Sequence, residues 1–183
     1  MPDAVALWHA EHTNFAWLLA LMDAQIALFH DGGDPDYELM VDVMFYLTHY
    51  ADVRHHPKED LAFARLKALE PKLAKTVDDL ARQHKALERA GSTLIRMLDG
   101  ILNGSMETRE HVETAARDYV DTLRKHMRIE ENEILPSAAK LMSAQDWQAI
   151  HAAIAQIDDP LFGHNPEKRY VALHRQIARH ARR

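Results

Sequence analysis

The chain has 183 residues and no cysteine at all. This absence excludes disulfides, thiolate-ligated zinc and iron–sulfur sites, and cysteine nucleophiles. Positive charge is also in short supply, because 28 acidic residues outnumber 22 basic ones and leave a net charge of −6. We expect no nucleic-acid partner, since proteins that bind nucleic acids present broad basic surfaces.

Long apolar runs are missing as well. The sequence contains no run of about 18 apolar residues, so no membrane partner is expected. Its start, MPDAVALWHAEH, lacks the basic segment and apolar run of a signal peptide. We therefore expect a cytoplasmic protein. A hydrophobic share of 47% and a charged share of 27% are ordinary for a globular chain with its own core.

Glycine is scarce, and four of the six glycines (Gly32, Gly33, Gly104 and Gly163) lie in candidate breaks with other turn-forming residues. Between the breaks, good helix formers dominate and no strand-like alternation occurs. The sequence predicts an all-α chain with an up-down-up-down antiparallel four-helix bundle. The four long helices are predicted at about 4–30, 36–69, 71–103 and 108–141.

Shorter helices are expected after the bundle. One begins near Ser143, where Ser143 and Asp146 resemble a capping box, and is predicted to end near Ile157. A last basic helix is predicted from about 167 to the end. We divide the chain into a bundle, 1–142, and a C-terminal helical extension packed on it, 143–183. Pro57 is expected to kink the second helix, because proline removes a backbone hydrogen bond.

One motif occurs twice: the second helix contains His55-x-x-x-Glu59 and the fourth contains His126-x-x-x-Glu130. Residues four apart lie on one face of a helix, so each motif places an imidazole beside a carboxylate. The other two long helices each contain a matching histidine, which are His12 and His84. At about 1.5 Å of rise per residue, all four histidines fall roughly 8 to 12 Å above the start of the first helix.

Four imidazoles and two inward carboxylates at one level predict a metal site, and the two bridging carboxylates favour a dinuclear one. Burying two carboxylates without a cation would be very unfavourable. Imidazole is a ligand of iron, zinc, copper and nickel, and carboxylate adds a preference for a harder ion. The alternative is a metal-free helical adaptor whose histidines lie on the surface.

These motifs resemble those of hemerythrin-like, or HHE cation-binding, domains. HHPKEDLAF in the second helix and HMRIEENEILP in the fourth fit the family pattern, and the resemblance covers about residues 5 to 141. It implies a non-haem centre of two iron ions, oxo- or hydroxo-bridged, that binds O2, NO or peroxide. The ligands implied are His12, His55, Glu59, His84, His126 and Glu130.

Three more residues are candidates for the pocket or for contacts behind the ligands: His56, Glu88 and Tyr119. Tyr119 lies two turns from His126 on one face and could donate a hydrogen bond to a bound oxygen species. The leading hypothesis is a protein that binds or senses a small diatomic ligand. The alternative is a di-iron enzyme, either oxidase- or peroxidase-like or acting in repair of iron centres after nitrosative stress. The sequence leaves open whether the chain forms a homodimer or binds another protein.

Overall fold

The computed structural model describes residues 4–154, 158–164 and 167–180, and within these ranges the regular structure is entirely helical. The all-α prediction is therefore confirmed. The first helix, α1, spans Ala4–His30 as predicted. Within the described part of the chain, no helix combines the length and the apolar character needed to cross a membrane.

The second long helix contains a wide turn in its middle. It begins as α2 (Tyr37–Tyr46), continues as a π-helical segment (Leu47–His55) and ends as α3 (His56–Leu69). The backbone N–H of His56 bonds to the carbonyl of Ala51, five residues earlier. The helix therefore continues through the proline at 57 in a widened turn, which is the form that the predicted irregularity takes.

The fourth long helix has the same construction. After a 3-10 turn (Pro71–Leu73) and α4 (Ala74–Leu102), the chain forms α5 (Arg109–Ile129), a π-helical segment (Glu130–Ile134) and α6 (Leu135–Leu141). Leu135 donates its N–H to the carbonyl of Glu130, again five residues earlier, and a proline follows at 136. Each helix that carries the repeated motif thus has a wide turn next to that motif.

The C-terminal segment contributes short helices. The first, α7, spans Ala144–Ala153 and starts with the predicted capping box of Ser143 and Asp146. Its predicted end at 157 lies outside the described residues. A 3-10 turn (Lys168–Tyr170) leads into α8 (Val171–His180).

Two aromatic contacts join these C-terminal helices to the bundle. The ring of Trp147 lies edge-on to that of Trp8, with 5.4 Å between centroids, and the ring of Tyr170 lies edge-on to that of Tyr46 at 5.8 Å. Tyr46 also donates a hydrogen bond of 2.7 Å to Oδ2 of Asp159.

The apolar core has two parts. One cluster fills the end of the bundle near the breaks at 32 and 104, and includes Phe15, Met40 and Leu94. The other fills the opposite end, near Pro71, and includes Phe63 and Leu80. The histidines and glutamates predicted as ligands lie along the helices between these two clusters, so apolar layers enclose them on both sides.

Candidate metal centre

The structure brings the six predicted ligands together in the interior. Each is 5% exposed or less, and both glutamates are fully buried. They come from all four long helices, as the sequence predicts. The six residues are His12, His55, Glu59, His84, His126 and Glu130.

The four imidazoles form two pairs. Nε2 of His12 lies 3.0 Å from Nε2 of His55, and Nε2 of His84 lies 3.0 Å from Nε2 of His126. Two imidazole nitrogens 3.0 Å apart have the spacing expected of neighbouring ligands at about 2.0–2.1 Å from one ion. The first pair joins α1 to the second long helix, and the other joins α4 to α5.

Glu59 lies between the two pairs and sends one oxygen toward each. Its Oε1 is 3.1 Å from Nε2 of His55 and 3.4 Å from Nε2 of His12. Its Oε2 is 3.6 Å from Nε2 of His84. The carboxylate can thus serve both pairs at once.

Glu130 has the mirror-image arrangement. Its Oε1 is 2.9 Å from Nε2 of His126 and 3.6 Å from Nε2 of His84, and its Oε2 is 3.5 Å from Nε2 of His12. Each carboxylate therefore has one oxygen beside the first imidazole pair and one beside the second. Both carboxylates could therefore contact a cation held by either pair.

The four carboxylate oxygens of Glu59 and Glu130 are buried and find no aligned hydrogen-bond partner among the described residues. Imidazole nitrogens lie 2.9 to 3.6 Å away, but not in hydrogen-bonding directions. Buried anionic oxygens without partners are very unfavourable. A cation between the imidazoles and carboxylates would satisfy them, so the residues present fit a bound metal.

The electrostatics of the metal-free protein reflect this crowding. Burial alone would lower the pKa of His55, but the charges of Glu59 and Glu11 outweigh burial and raise that pKa to about 10. Burial would also lower the pKa of His84, which the carboxylates of Asp60 and Glu130 instead raise to about 9. Burial would raise the pKa of Glu59, but the neighbouring imidazoles hold it well below its ordinary value.

A second layer of acceptors fixes the orientation of the imidazoles. The Nδ1 atom of each faces an oxygen at 2.6 to 3.0 Å, so Nδ1–H donates and Nε2 is left to face the metal. The four pairs are His12 with Glu131, His55 with Glu11, His84 with Asp60, and His126 with Gln83.

Each of these acceptors is adjacent in sequence to one predicted ligand, and it accepts a hydrogen bond from a histidine on a different helix. Glu11 precedes His12, Asp60 follows Glu59, Gln83 precedes His84, and Glu131 follows Glu130. The acceptor on each long helix bonds to the histidine on the next: the first helix supports the second, the second the third, the third the fourth, and the fourth the first. We did not predict these four residues, although their adjacency to predicted ligands was a signal in the sequence.

Of the three additional candidates, His56 lies against the ligands, and Tyr119 lies near Asp52, which contacts His56. His56 is buried, and its ring stacks on that of His84 with 4.3 Å between centroids and an interplanar angle of 13°. Tyr119 is also buried, and burial together with the nearby charge of Asp52 raises its pKa well above the ordinary value.

Glu88 does not lie at the site, because its side chain is exposed on the surface of α4. The buried row of that helix runs through Leu80, His84, Leu87 and Gly91. At 3.6 residues per turn, position 88 falls beside this row and faces outward. The expectation that Glu88 lines the pocket therefore does not agree with its position.

Fold and site together define a metal-binding helical bundle with imidazole and carboxylate ligands. The family model of the hemerythrin HHE cation-binding domain matches residues 3–138, and the chain belongs to that family. No curated protein and no solved structure matches the chain closely enough for comparison.

Proposed function

We propose that the protein holds two iron ions and binds or senses O2, NO or peroxide at them. His12 and His55 would hold the first ion, and His84 and His126 the second. Glu59 and Glu130 would bridge the two. One observation supports this proposal most directly. In each glutamate, one carboxylate oxygen faces the first imidazole pair and the other oxygen faces the second pair.

This donor set is compatible with iron, the metal that the family resemblance implies. Four neutral imidazoles and two carboxylates combine nitrogen ligands of intermediate softness with hard oxygen ligands, and the cluster contains no thiolate. When bound, two irons supply redox electrons and coordination positions for a small ligand. The residues of the chain fix the imidazole tautomers, provide bridging charge and exclude water.

The enclosure by apolar layers favours a small ligand over a large substrate. Phe15 lies on one side of the cluster, with its ring edge-on to His55 at 4.9 Å between centroids, and Phe63 lies on the other, 6.3 Å from the ring of His84. A diatomic molecule can enter such a space without a channel of the size that an organic substrate needs.

A di-iron enzyme is the second candidate. Four imidazoles shared by two ions would leave coordination positions open for chemistry, and the polar side chain of His56 lies against the cluster, in contact with Asp52. Turnover separates the two functions. Continued consumption of O2 or peroxide with a reductant indicates an enzyme, whereas stoichiometric reversible binding indicates a carrier or sensor.

The proposal is tested by elemental analysis of protein purified without added metal, together with an optical spectrum in air. We expect about two irons per chain and near-ultraviolet bands of an oxo-bridged pair. One zinc per chain, or no metal in a stably folded protein, would refute the di-iron centre. The family fold would then be present without this chemistry.

A further inference from the structure

A second group of buried polar side chains lies directly beside the His84 and His126 pair. His56 and Asp52 have side chains only 6% and 5% exposed, and Nδ1 of His56 is 3.1 Å from Oδ1 of Asp52. One ring nitrogen of His56 lies within 4.8 Å of ligand atoms of Glu59, His84 and His126. The group is therefore next to the position proposed for the second ion.

These polar atoms lack partners in the described part of the chain. Both carboxylate oxygens of Asp52 and Nδ1 of His56 are buried without a hydrogen bond, because the short contact between them is not aligned for one. An unsatisfied buried polar atom costs about 1–3 kcal/mol. The two oxygens of Asp52 can only accept hydrogen bonds, whereas the imidazole of His56 can donate one, so His56 is the group in this pair that an acceptor from outside the chain would satisfy.

The geometry of His56 favours a contact with a bound ligand over coordination of the ion. Its ring is nearly parallel to the ring of His84, at 13°. Two stacked and nearly parallel imidazoles would not both direct a nitrogen at one ion. His84 would therefore hold the ion, and His56 would be left to contact a ligand of that ion.

Beside His12 and His55, the polar side chains of the described residues outside the two glutamates have their hydrogen bonds, such as Tyr50 to Glu11 and His55 with Glu11. There the ring of Phe15 covers His55 and lies 6.3 Å from His12. A surface cavity of about 380 Å³ does reach His12, but His12 presents Nδ1 to Glu131 at 2.6 Å, which leaves Nε2 for the metal. The cavity thus borders the outer layer of the site.

We propose that the exogenous ligand binds to the ion held by His84 and His126, and that a ring N–H of His56 donates a hydrogen bond to it. Asp52, whose Oδ1 lies 3.1 Å from Nδ1 of His56, acts as a positioning residue that packs against the ring and limits its movement. The ligand class is a small anion or diatomic molecule whose outer atom accepts a hydrogen bond. This inference rests on the proposed di-iron function.

The test uses azide as the probe and the full iron-loaded chain in its oxidised form. A hydrogen bond to a charged group contributes enough that its loss weakens binding about 10- to 100-fold. We expect His56→Leu to weaken azide binding by this factor while the protein still contains two irons per chain. His56→Asn, whose amide N–H can replace the ring donor, should recover most of the affinity.

A spectroscopic measurement identifies the hydrogen bond itself. In resonance Raman spectra, the vibrations of bound azide should shift on transfer of the native protein to D2O, and this shift should disappear in His56→Leu. The matched control is Phe15→Leu, which changes the apolar side of the cluster and should alter azide affinity less than about two-fold. Asp52→Asn should weaken azide binding more than Phe15→Leu does and less than His56→Leu does.

Four results would overturn the inference. Loss of one iron in His56→Leu would make His56 a metal ligand. Unchanged azide affinity in that variant, or a larger loss in Phe15→Leu, would place the exogenous ligand at the other ion. A native protein without two irons would refute the proposed function first, and with it this ligand site.

Discussion

His126 donates its Nδ1–H to the side-chain amide oxygen of Gln83 at 3.0 Å. The other three imidazoles of the cluster donate to carboxylates, which belong to Glu11, Asp60 and Glu131. A neutral amide oxygen is a weaker hydrogen-bond acceptor than a carboxylate, so His126 differs from the other three in the partner behind it. The two proposed iron positions are therefore chemically different.

Replacement of Gln83 by leucine should weaken metal binding. The variant loses the acceptor that fixes the tautomer and ring orientation of His126, and such outer contacts are typically worth 10–100-fold in metal affinity. We expect a loss of this size, measured by competition with a chelator. Gln83→Glu should retain affinity, because it supplies a stronger acceptor.

Gln145→Leu is the control for this change, because Gln145 is an exposed glutamine on α7. It should leave metal affinity within about two-fold of the native value. Equal losses in both leucine variants would show that the effect comes from removal of a polar side chain in general.

Glu59→Gln and Glu88→Gln are a second matched pair: the first should lose iron, and the second should not. Glu59 is fully buried between the imidazole pairs, so its conversion to an amide removes a bridging charge and should reduce the iron content from two per chain to one or none. Glu88 is exposed, and its conversion should change nothing. Elemental analysis of both proteins is the measurement. Two irons in Glu59→Gln would contradict its role as a bridge.

The stability of the metal-free protein should depend on pH through the cluster. The pKa values of His55 and His84 are raised from 6.5 to about 10 and about 9. The contribution of these two histidines to the free energy of unfolding is therefore fully present below about pH 6.5 and is lost as pH rises through 9 to 10. The lowered pKa of Glu59 acts in the opposite sense: its contribution is present above about pH 4.5 and is lost as pH falls through the folded-state value.

Metal binding requires neutral imidazoles and should reverse this dependence at higher pH. We expect the increase in Tm produced by ferrous iron under argon to grow between pH 6.5 and 8.5. Thermal melting of metal-free and loaded protein across this range measures it. His126→Ala, which removes a ligand, should show a much smaller gain throughout. A gain that shrinks as pH rises would refute the linkage.

Gly91 tests the packing beside the site. A Cβ atom at this position would lie 2.9 Å from Cγ2 of Thr48 and 3.2 Å from Cε2 of Tyr119. Gly91→Ala should therefore lower the free energy of unfolding by about 1–3 kcal/mol, the usual effect of overpacking. Urea unfolding of the metal-free protein measures the change.

Gly100 on the same helix is the matched control. A Cβ there would meet only the side chain of Ser105, at 3.4 Å. Alanine should stabilise this position by about 0.5–1 kcal/mol, because glycine is unfavourable inside a helix. Stabilisation in both variants would show that Tyr119 and Thr48 can move aside.

Much of the fold could be predicted because its signals are local. The four long helices follow from helix-forming composition between clear breaks, and the common level of His12, His55, His84 and His126 follows from helix rise alone. The wide turns could not be predicted in the same way. Prolines at 57 and 136 indicate an irregularity, but a kink, a break and a π-helical turn are all compatible with a proline.

The contacts behind the ligands were harder to predict, because they depend on helix rotation. Asp60 and Glu131 were not among the predicted site residues, whereas Glu88 was predicted and is exposed. A rotation of about 70° around the axis of α4 separates Glu88 from the middle of the buried row of that helix. Spacing along one helix predicts how high a residue lies along the bundle better than it predicts whether that residue faces inward. Packing against the neighbouring helices decides which side faces inward.

The cyclic order of ligand and acceptor means that the site is encoded in adjacent pairs of residues. A slip of one position in any helix would rotate a ligand out of the interior and, in the same movement, withdraw the support of an imidazole on the next helix. Insertions and deletions should therefore be tolerated in the connections and rejected within the helical spans. Anyone grafting this centre onto another bundle would have to transplant Glu11-His12, Glu59-Asp60, Gln83-His84 and Glu130-Glu131 as intact dipeptides, together with His55 and His126.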